Sequence, residues 1–263
     1  MLLLIDVGNT NIVMGIYDND EIKYSWRLGT KFTRTSDEYG LQVDSIFRHY
    51  GIEVNDINDI VLASVVPSLQ HTLKSMCTRY LGIDPIIIGE GTKTGIKINY
   101  DNPKEVGADR IVNSVACYEK YGAPCIVVDI GTAISFDVVS REGEYIGGAI
   151  APGIGIASDA LFSRTSKLPK VELEEPRHAV GRNTVEAMQS GIVFGYIGLV
   201  DNIVANILSE LNYTKEETRI IATGGFAELI AKQSDYIEGY DYDLTLRGMK
   251  LIYDKTKKDK NGK

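Results

Sequence analysis

The sequence predicts an α/β fold in which one structural unit occurs twice. The first observation is that an apolar run ending at Asp6 is followed by a glycine-containing turn and a second apolar run, and that the same order recurs at Asp129. The second observation is that predicted strands alternate with predicted helices, which is typical of layered α/β folds. We therefore expect two related domains over residues 1–117 and 118–254.

The first half of the chain contains clear signals for a hairpin and a capped helix. Residues 2–6 and 12–17 predict the two strands of the hairpin. The segment from Thr35 to Glu38 has capping-box spacing, in which a hydroxyl and a carboxylate satisfy free amides at a helix start. Gly51 predicts the end of that helix. The other predicted elements are strands over 24–28, 60–66 and 85–88, helices over 69–81 and 111–121, and an irregular segment over 96–110.

The second half begins with the repeated hairpin and contains the longest predicted helix. That helix covers 184–211, with Asn183 as N-cap and Glu186 three residues later. A strand over 220–223 runs into a third glycine-containing turn, Thr223–Gly225. The other predicted elements are hairpin strands over 126–129 and 134–138, a strand over 145–150, helices over 156–165 and 244–254, and a disordered basic tail over 255–263.

Apolar residues form two stripes on the long helix, one including Val193 and Val204 and the other including Ile192 and Ile203. A helix that is apolar over so much of its surface must be covered on two sides. One cover is its own domain. The sequence leaves open whether the other cover is the same chain or a second subunit.

Composition narrows the class of protein. The net charge of −8 argues against a nucleic-acid-binding protein, which needs a basic surface. The three cysteines, Cys77, Cys117 and Cys125, form no CxxC pair, which argues against a disulfide framework or a zinc site. The N-terminal apolar run lacks a preceding basic region and predicts a strand. No apolar run approaches the ~20 residues that span a bilayer, so we expect a cytoplasmic protein with no membrane partner.

The chemistry of the first turn suits phosphate. Gly8 allows a ligand to approach the backbone closely, and the amides around Thr10 can point at phosphate oxygens. Asp6 can hold Mg²⁺ directly or through water. An ordinary hairpin turn would explain one such copy, but the duplication favours two tips that face each other around a nucleotide. The sequence contains no GxxxxGK[ST], GxGxxG or HExxH motif.

The segment Gly107–Arg110 places a carboxylate and a guanidinium at the start of a predicted helix. Phosphoryl transfer to an alcohol benefits from a carboxylate that accepts the hydroxyl proton, and Asp109 could do this. On spacing alone, a solvent-exposed aspartate at a helix N-terminus is the more common situation.

Four motifs together resemble the type III pantothenate kinases, which belong to the superfamily of acetate and sugar kinases, chaperone ATPases and actin. The motifs are Asp6–Thr10, Gly107–Arg110, Asp129–Thr132 and Gly147–Gly153. The resemblance implies two duplicated ribonuclease H-like domains with mixed sheets flanked by helices, as in actin-like ATPases. It also implies ATP-dependent phosphorylation of pantothenate to 4′-phosphopantothenate, the first step of coenzyme A biosynthesis.

The resemblance also implies roles for individual residues. The ATP-binding residues are expected to be Asp6, Val7, Gly8, Asn9, Thr10, Asn11, Ile12, Val13 and Thr132. The pantothenate-binding residues are expected to be Tyr100, Gly107, Ala108, Asp109, Arg110 and Thr184. Asp109 would be the general base, Asp6 would lie near Mg²⁺, and Asp129 would bind a monovalent cation, K⁺ or NH₄⁺. The family is homodimeric, with the pantothenate site near the subunit interface.

Three alternatives remain at this point. The chain could be another small-molecule kinase of the superfamily or a nucleotide hydrolase. It could be a regulatory protein that binds ATP without turnover, or an actin-like filament protein. Retention of Asp6, Asp109 and Asp129 favours an enzyme over a regulator.

Overall fold

The computed structural model describes residues 1–261 of the chain and divides into two compact units. The first unit comprises Met1–Gly95, Lys104–Val115 and Thr245–Lys263. The second comprises Ile96–Pro103 and Ala116–Leu244. The predicted division at residues 117 and 118 placed 245–254 with the second domain, whereas these residues group with the first unit.

The first unit is a five-stranded mixed sheet with helices packed on it. Its strands are β1 (Leu2–Val7), β2 (Asn11–Asp18), β3 (Glu21–Gly29), β4 (Asp59–Ser64) and β5 (Ile86–Ile88). Their order is β3-β2-β1-β4-β5, with β1 antiparallel to β2 and parallel to β4. Helices α1 (Ser36–Tyr50) and α2 (Pro67–Met76) supply Phe47 and Leu73 to a core shared with Leu3 and Ile5 of β1.

The predicted capping box of α1 is present. The Glu38 backbone N–H donates to Thr35 Oγ1 at 3.2 Å, and the Thr35 N–H donates to Glu38 Oε2 at 2.8 Å. The helix ends at Gly51, which has φ +66°. Both ends of α1 are therefore set by local sequence, as predicted.

The second unit is a six-stranded mixed sheet. Its strands are β6 (Lys97–Ile98), β7 (Cys125–Ile130), β8 (Ala133–Val139), β9 (Glu144–Pro152), β10 (Arg219–Thr223) and β11 (Gly239–Tyr240), in the order β11-β10-β7-β8-β9-β6. The helices of the remaining chain are α3 (Ala108–Tyr121), α4 (Ile154–Arg164), α5 (Thr184–Leu211), α6 (Ala227–Ala231) and α7 (Leu244–Asn261). The halves of α3 fall in different units.

The predicted duplication is present in the strand order. β9-β8-β7-β10-β11 repeats β3-β2-β1-β4-β5, and each pair of neighbouring strands has the same relative direction as its counterpart. The register is equivalent too, since Asp6 lies opposite Ala63 on the parallel neighbour and Asp129 lies opposite Thr223. The predicted α/β class with mixed sheets flanked by helices is confirmed.

Helix α5 has the predicted bounds and cap, with the Glu186 N–H donating to Asn183 Oδ1 at 3.0 Å. One apolar stripe, including Val193, Val200 and Val204, is fully buried in the core of the second unit. The other stripe is less covered, and Val185 is 41% exposed. By length and composition α5 could cross a membrane, contrary to the expectation that no segment could, but a core helix passes the same test.

Helices α3 and α7 are among the elements that differ from the sequence prediction. Helix α3 begins at Ala108, so Asp109 lies in its first turn and not in an irregular segment. Helix α7 continues to Asn261, where a disordered tail from residue 255 was predicted. Long-range contacts support this extension, because Asp59 accepts a hydrogen bond from the Tyr253 hydroxyl at 2.6 Å and pairs with Lys257 at 3.0 Å. Residues 262 and 263 of the predicted tail lie outside the described residues.

Candidate active site

The β1–β2 turn is a tight, exposed loop. The Gly8 N–H donates to the Asn11 carbonyl at 3.0 Å, and a Cβ atom at Gly8 would be 3.0 Å from the same oxygen. Asn9, Thr10 and Asn11 are exposed, while Ile12 is fully buried beneath them. The turn therefore presents backbone amides and small polar side chains on a rigid support, as a phosphate-binding loop must.

Thr30 fastens this turn from the end of the neighbouring strand. Its hydroxyl donates to the Gly8 carbonyl at 2.7 Å, and its N–H donates to the Thr10 carbonyl at 2.9 Å. Thr30 is not among the predicted site residues, because a threonine after a predicted strand carries no signal of a long-range contact.

The Asp6 strand and the Gly107–Arg110 motif lie at the same edge of the first sheet. The Val65 N–H donates to the Val7 carbonyl at 3.1 Å, one residue beyond the last pair of β1 and β4, Val7 and Ser64. A Cβ atom at Gly107 would lie 3.6 Å from Cγ1 of Val65. The first unit therefore brings the phosphate-loop strand and the predicted base together through Val65.

Asp109 is a half-buried carboxylate in the first turn of α3. The Arg110 N–H donates to Asp109 Oδ1 at 2.8 Å, and a Cβ atom at Gly107 would be 2.6 Å from that oxygen. Burial raises the pKa of the Asp109 carboxyl group above its ordinary value, and the Arg110 N–H and guanidinium oppose part of that rise. A carboxylate with a raised pKa is a stronger proton acceptor, which suits a general base.

The second hairpin resembles the first but has a turn that is one residue shorter. The Gly131 N–H donates to the Ala133 carbonyl at 3.0 Å, whereas the Gly8 N–H donates to Asn11, and Ile130 pairs with Ile134 as Val7 pairs with Ile12. Asp129 is the penultimate residue of β7 and lies opposite Ser135 on β8 and Thr223 on β10. Its carboxylate is thus held at the carboxyl end of a central strand, where α/β sheets commonly bind ligands.

Two glycines outside this hairpin pack against it. Gly224 has φ +95°, and a Cβ atom there would lie 2.6 Å from Asp129 Oδ1. The Gly153 N–H donates to the Thr132 carbonyl at 3.1 Å, and a Cβ atom at Gly153 would be 2.2 Å from that oxygen. Both glycine-rich segments are recognisable in the sequence, but their contacts with Asp129 and Thr132 are not.

The oxygen atoms around Asp129 fit a monovalent cation. Carboxylate and carbonyl oxygens are the ligands that hard cations prefer. The Ile130 carbonyl lies near the Asp129 carboxylate, since a Cβ atom at Gly224 would be 2.6 Å from both Asp129 Oδ1 and the Ile130 oxygen. Over residues 1–258, whose side chains the structure describes, no three His, Cys, Asp or Glu side chains come together as a metal cluster. A cation here would depend on one carboxylate, backbone oxygens and its substrate.

The structure places Tyr100 and Thr184 in different cavities of the second unit. Tyr100 lines a cavity of about 470 Å³ with Gly147, Gly148 and the end of α5 from Ile203 to Leu211. Thr184 lines a larger cavity of about 1190 Å³ between α4 and the beginning of α5. Along α5, Thr184 and Ile203 are about 28 Å apart at 1.5 Å per residue. One copy of the unit therefore does not bring these two predicted pantothenate residues together.

Comparison with known proteins gives a consistent result. The family model for type III pantothenate kinases matches residues 2–206. A type III pantothenate kinase from Finegoldia magna is 51% identical over 259 residues, covering 98% of this chain and 99% of the relative. One from Geobacillus kaustophilus is 48% identical over 260 residues, covering 99% and 100%.

Solved structures share the fold at lower identity. A protein from Campylobacter jejuni described as a Baf family transcriptional activator has a TM-score of 0.61 at 22% identity, with 97% of this chain and 99% of that chain covered. The ROK hexokinase of Thermus thermophilus has a TM-score of 0.51 at 12% identity, with 98% and 99% covered. Similarity at these identities supports the fold alone.

Proposed function

The chain belongs to the type III pantothenate kinase family, and we propose that it transfers the γ-phosphoryl group of ATP to the primary hydroxyl of pantothenate with Asp109 as general base. The product is 4′-phosphopantothenate, the first intermediate of coenzyme A biosynthesis. One observation carries the assignment of the base: Asp109 is half-buried in the first turn of α3, at the edge where the phosphate-loop strand ends.

On the ATP side, the amides of the loop from Asp6 to Val13 bind phosphate oxygens, and Thr132 contacts a phosphate. The exposed turn fastened by Thr30 supports this role. Family membership implies a divalent metal with ATP, and we assign Mg²⁺ near Asp6. When bound, the metal neutralises charge on the phosphates, while Asp6 and the loop amides orient the γ-phosphoryl group.

On the pantothenate side, Asp109 accepts the proton of the primary hydroxyl as that oxygen attacks the γ-phosphorus. Arg110 binds charged oxygen atoms, because its guanidinium presents several donors in a fixed plane. Gly107 and Ala108 leave room beside the Asp109 carboxylate, which a side chain at Gly107 would approach within 2.6 Å.

We assign a monovalent cation, K⁺ or NH₄⁺, to Asp129. The cation supplies positive charge near the phosphates when it is bound. Asp129, held by β7 and flanked by Gly224 and Gly131, provides the one carboxylate oxygen ligand, and the packed glycines keep its position fixed.

A homodimer explains the separation of Tyr100 and Thr184. Gly191, Gly195 and Gly198 form an exposed stripe along the middle of α5, and a Cβ atom at any of them would meet open space. Two copies of α5 packed antiparallel along this stripe would bring Thr184 of one copy to the Tyr100 cavity of the other. A two-fold axis requires this reciprocity. Each pantothenate site would then combine residues of two chains.

The cellular context we propose is the cytoplasm, with ATP and pantothenate as the binding partners. The net charge of −8 does not suit a nucleic-acid partner. The buried stripe of α5 forms the core of the second unit, and we propose no membrane partner.

A coupled ADP-release assay tests the activity. We expect ADP release that requires pantothenate, is not supported by acetate or sugars, and is stimulated by K⁺ over Na⁺ with ammonium excluded. Equal rates in K⁺ and Na⁺ would contradict the Asp129 assignment. Turnover with another acceptor would indicate a different kinase of the superfamily, and ATP binding without turnover would indicate a regulatory protein.

A further inference from the structure

Tyr100 lies in an exposed segment at the edge of the second sheet. Residues 99–105 are all exposed, and the preceding strand β6 has only two residues at the edge of the sheet. Asn99 ties this segment to β9, because its N–H donates to the Tyr145 carbonyl at 2.8 Å and its Nδ2 donates to Glu144 Oε2 at 3.1 Å. A substrate-binding side chain on such a segment needs support from side chains that are themselves fixed.

The Tyr100 ring rests on two residues of β9. Gly147 has φ +113°, and a Cβ atom there would be 3.1 Å from Cε2 of Tyr100. The Tyr145 ring lies beside it, with ring centroids 6.2 Å apart at an angle of 55°. Aromatic pairs at this separation attract one another. Tyr145 thus supports Tyr100 in two ways. Its ring lies beside the Tyr100 ring, and its carbonyl accepts the N–H of Asn99, the residue before Tyr100.

Tyr145 is in turn fixed from beneath by a buried carboxylate. Its ring is fully buried, and its hydroxyl donates to Asp137 Oδ1 at 3.0 Å. Asp137 is also fully buried, and its Oδ2 accepts a hydrogen bond from the Ser135 hydroxyl at 2.7 Å. Burial of a carboxylate is unfavourable unless it is hydrogen-bonded, so these bonds hold both side chains in one arrangement.

A β-bulge directs Tyr145 toward Asp137. Val138 lies opposite Gly147 and Val139 lies opposite Tyr145, so Ile146 is an extra residue in β9. Bulges change the direction of neighbouring side chains and often occur near functional sites.

We propose that Asp137 and Tyr145 are positioning residues that fix the Tyr100 ring and thereby set the affinity for pantothenate. The inference rests on the proposed function, in which Tyr100 binds pantothenate. Neither Asp137 nor Tyr145 lines the Tyr100 cavity, so both act through Tyr100 and not by touching the substrate.

The test is a double-mutant cycle on the full-length enzyme with Tyr145→Phe and Tyr100→Ala. Tyr145→Phe keeps the ring and removes only the hydroxyl. We expect it to raise KM for pantothenate about five- to twentyfold, which is less than the full loss of a hydrogen bond to a charged group because the effect reaches the substrate only through Tyr100. The kcat should stay within about twofold, and the KM for ATP should be unchanged. In the Tyr100→Ala background the same change should have no further effect, because its route to the substrate is gone.

Asp137→Asn should raise the pantothenate KM as well. If Asp137→Asn does not fold, Tyr145→Phe alone tests the inference. The matched control is Tyr253→Phe, which also removes a hydroxyl from a carboxylate, that of Asp59 at 2.6 Å, and should leave the pantothenate KM unchanged. An unchanged KM for Tyr145→Phe, or an equal rise in both backgrounds, overturns the inference.

The inference and the proposed function fail in distinguishable ways. If the wild-type enzyme does not phosphorylate pantothenate, the proposed function is wrong. If it does, and Tyr100→Ala leaves the pantothenate KM unchanged, the activity stands and the positioning role is overturned.

Discussion

Gly224 lies directly against the Asp129 carboxylate, so that a Cβ atom at Gly224 would be 2.6 Å from Oδ1. The same Cβ atom would be 2.6 Å from the backbone of Ile130. The strand β10 therefore fixes the carboxylate of β7 through a residue that has no side chain, and the positive φ of Gly224 makes glycine the preferred residue there.

The first prediction concerns this contact. Gly224→Ala should lower the free energy of unfolding by about 1–3 kcal/mol, through strain at positive φ and displacement of the Ile130 backbone. It should also reduce the stimulation of the rate by K⁺. The control is Gly225→Ala, because a Cβ atom at Gly225 meets nothing within 4 Å. Thermal unfolding and rates in K⁺ and Na⁺ are the measurements, and equal behaviour of the two variants would refute the contact.

The second prediction concerns the base. Asp109→Asn should leave ATP binding nearly intact and lower kcat by about two to four orders of magnitude, because the amide does not accept the hydroxyl proton. Asp84→Asn, on the surface with a 3.1 Å ion pair to Lys74, is the control and should keep full activity. ATP affinity is measured by calorimetry and kcat by ADP release. Full activity of Asp109→Asn would show that another group is the base.

The third prediction concerns pH. Burial raises the pKa of Asp109, so the folded chain holds this proton to a higher pH than the unfolded chain. Between the two pKa values the folded state binds more protons, and stability falls as pH rises through that window. Asp109→Asn has no such titration. The free energy of unfolding of Asp109→Asn, relative to that of the wild type, should therefore increase as pH rises.

Denaturant unfolding across pH measures the stability difference, with Asp84→Asn as control. The activity of the wild type should also fall as pH decreases through the raised pKa, because only the ionised carboxylate accepts a proton. A stability difference between Asp109→Asn and wild type that does not change with pH would contradict the raised pKa.

The fourth prediction concerns the phosphate loop. Thr30→Ala removes the 2.7 Å hydrogen bond to the Gly8 carbonyl and should raise KM for ATP about fivefold, the equivalent of roughly 1 kcal/mol. Thr30→Ser keeps a hydroxyl and should restore most of the affinity. Thr33→Ala, at an exposed position three residues along, is the control. An unchanged KM for ATP in Thr30→Ala would mean that ATP binding does not depend on the hydrogen bond between Thr30 and Gly8.

The fifth prediction concerns the shared site of the dimer. Thr184→Glu suits a helix N-terminus but repels the carboxylate of pantothenate, so it should be inactive alone. Co-expression with Asp109→Asn should restore up to about one quarter of wild-type activity, because about half of the dimers are mixed and each mixed dimer has one intact site of two. If Thr184 serves the site of its own chain, the mixture stays inactive.

The sequence by itself determined the local features of this protein. The two hairpins, the capped helix α1, the bounds of α5 and the duplicated turn at Asp6 and Asp129 all follow from short-range signals: apolar periodicity, capping residues and turn glycines. These signals act over a few residues, so they can be read from the chain alone.

The tertiary structure decided which distant segments meet. Only packing shows that Thr30 fastens the Gly8 turn and that Gly224 abuts Asp129. Only packing extends α7 through contacts with Asp59, and separates Tyr100 from Thr184. The physical reason is that contacts between segments far apart in sequence depend on how the whole chain packs, and no local pattern of residue types encodes them.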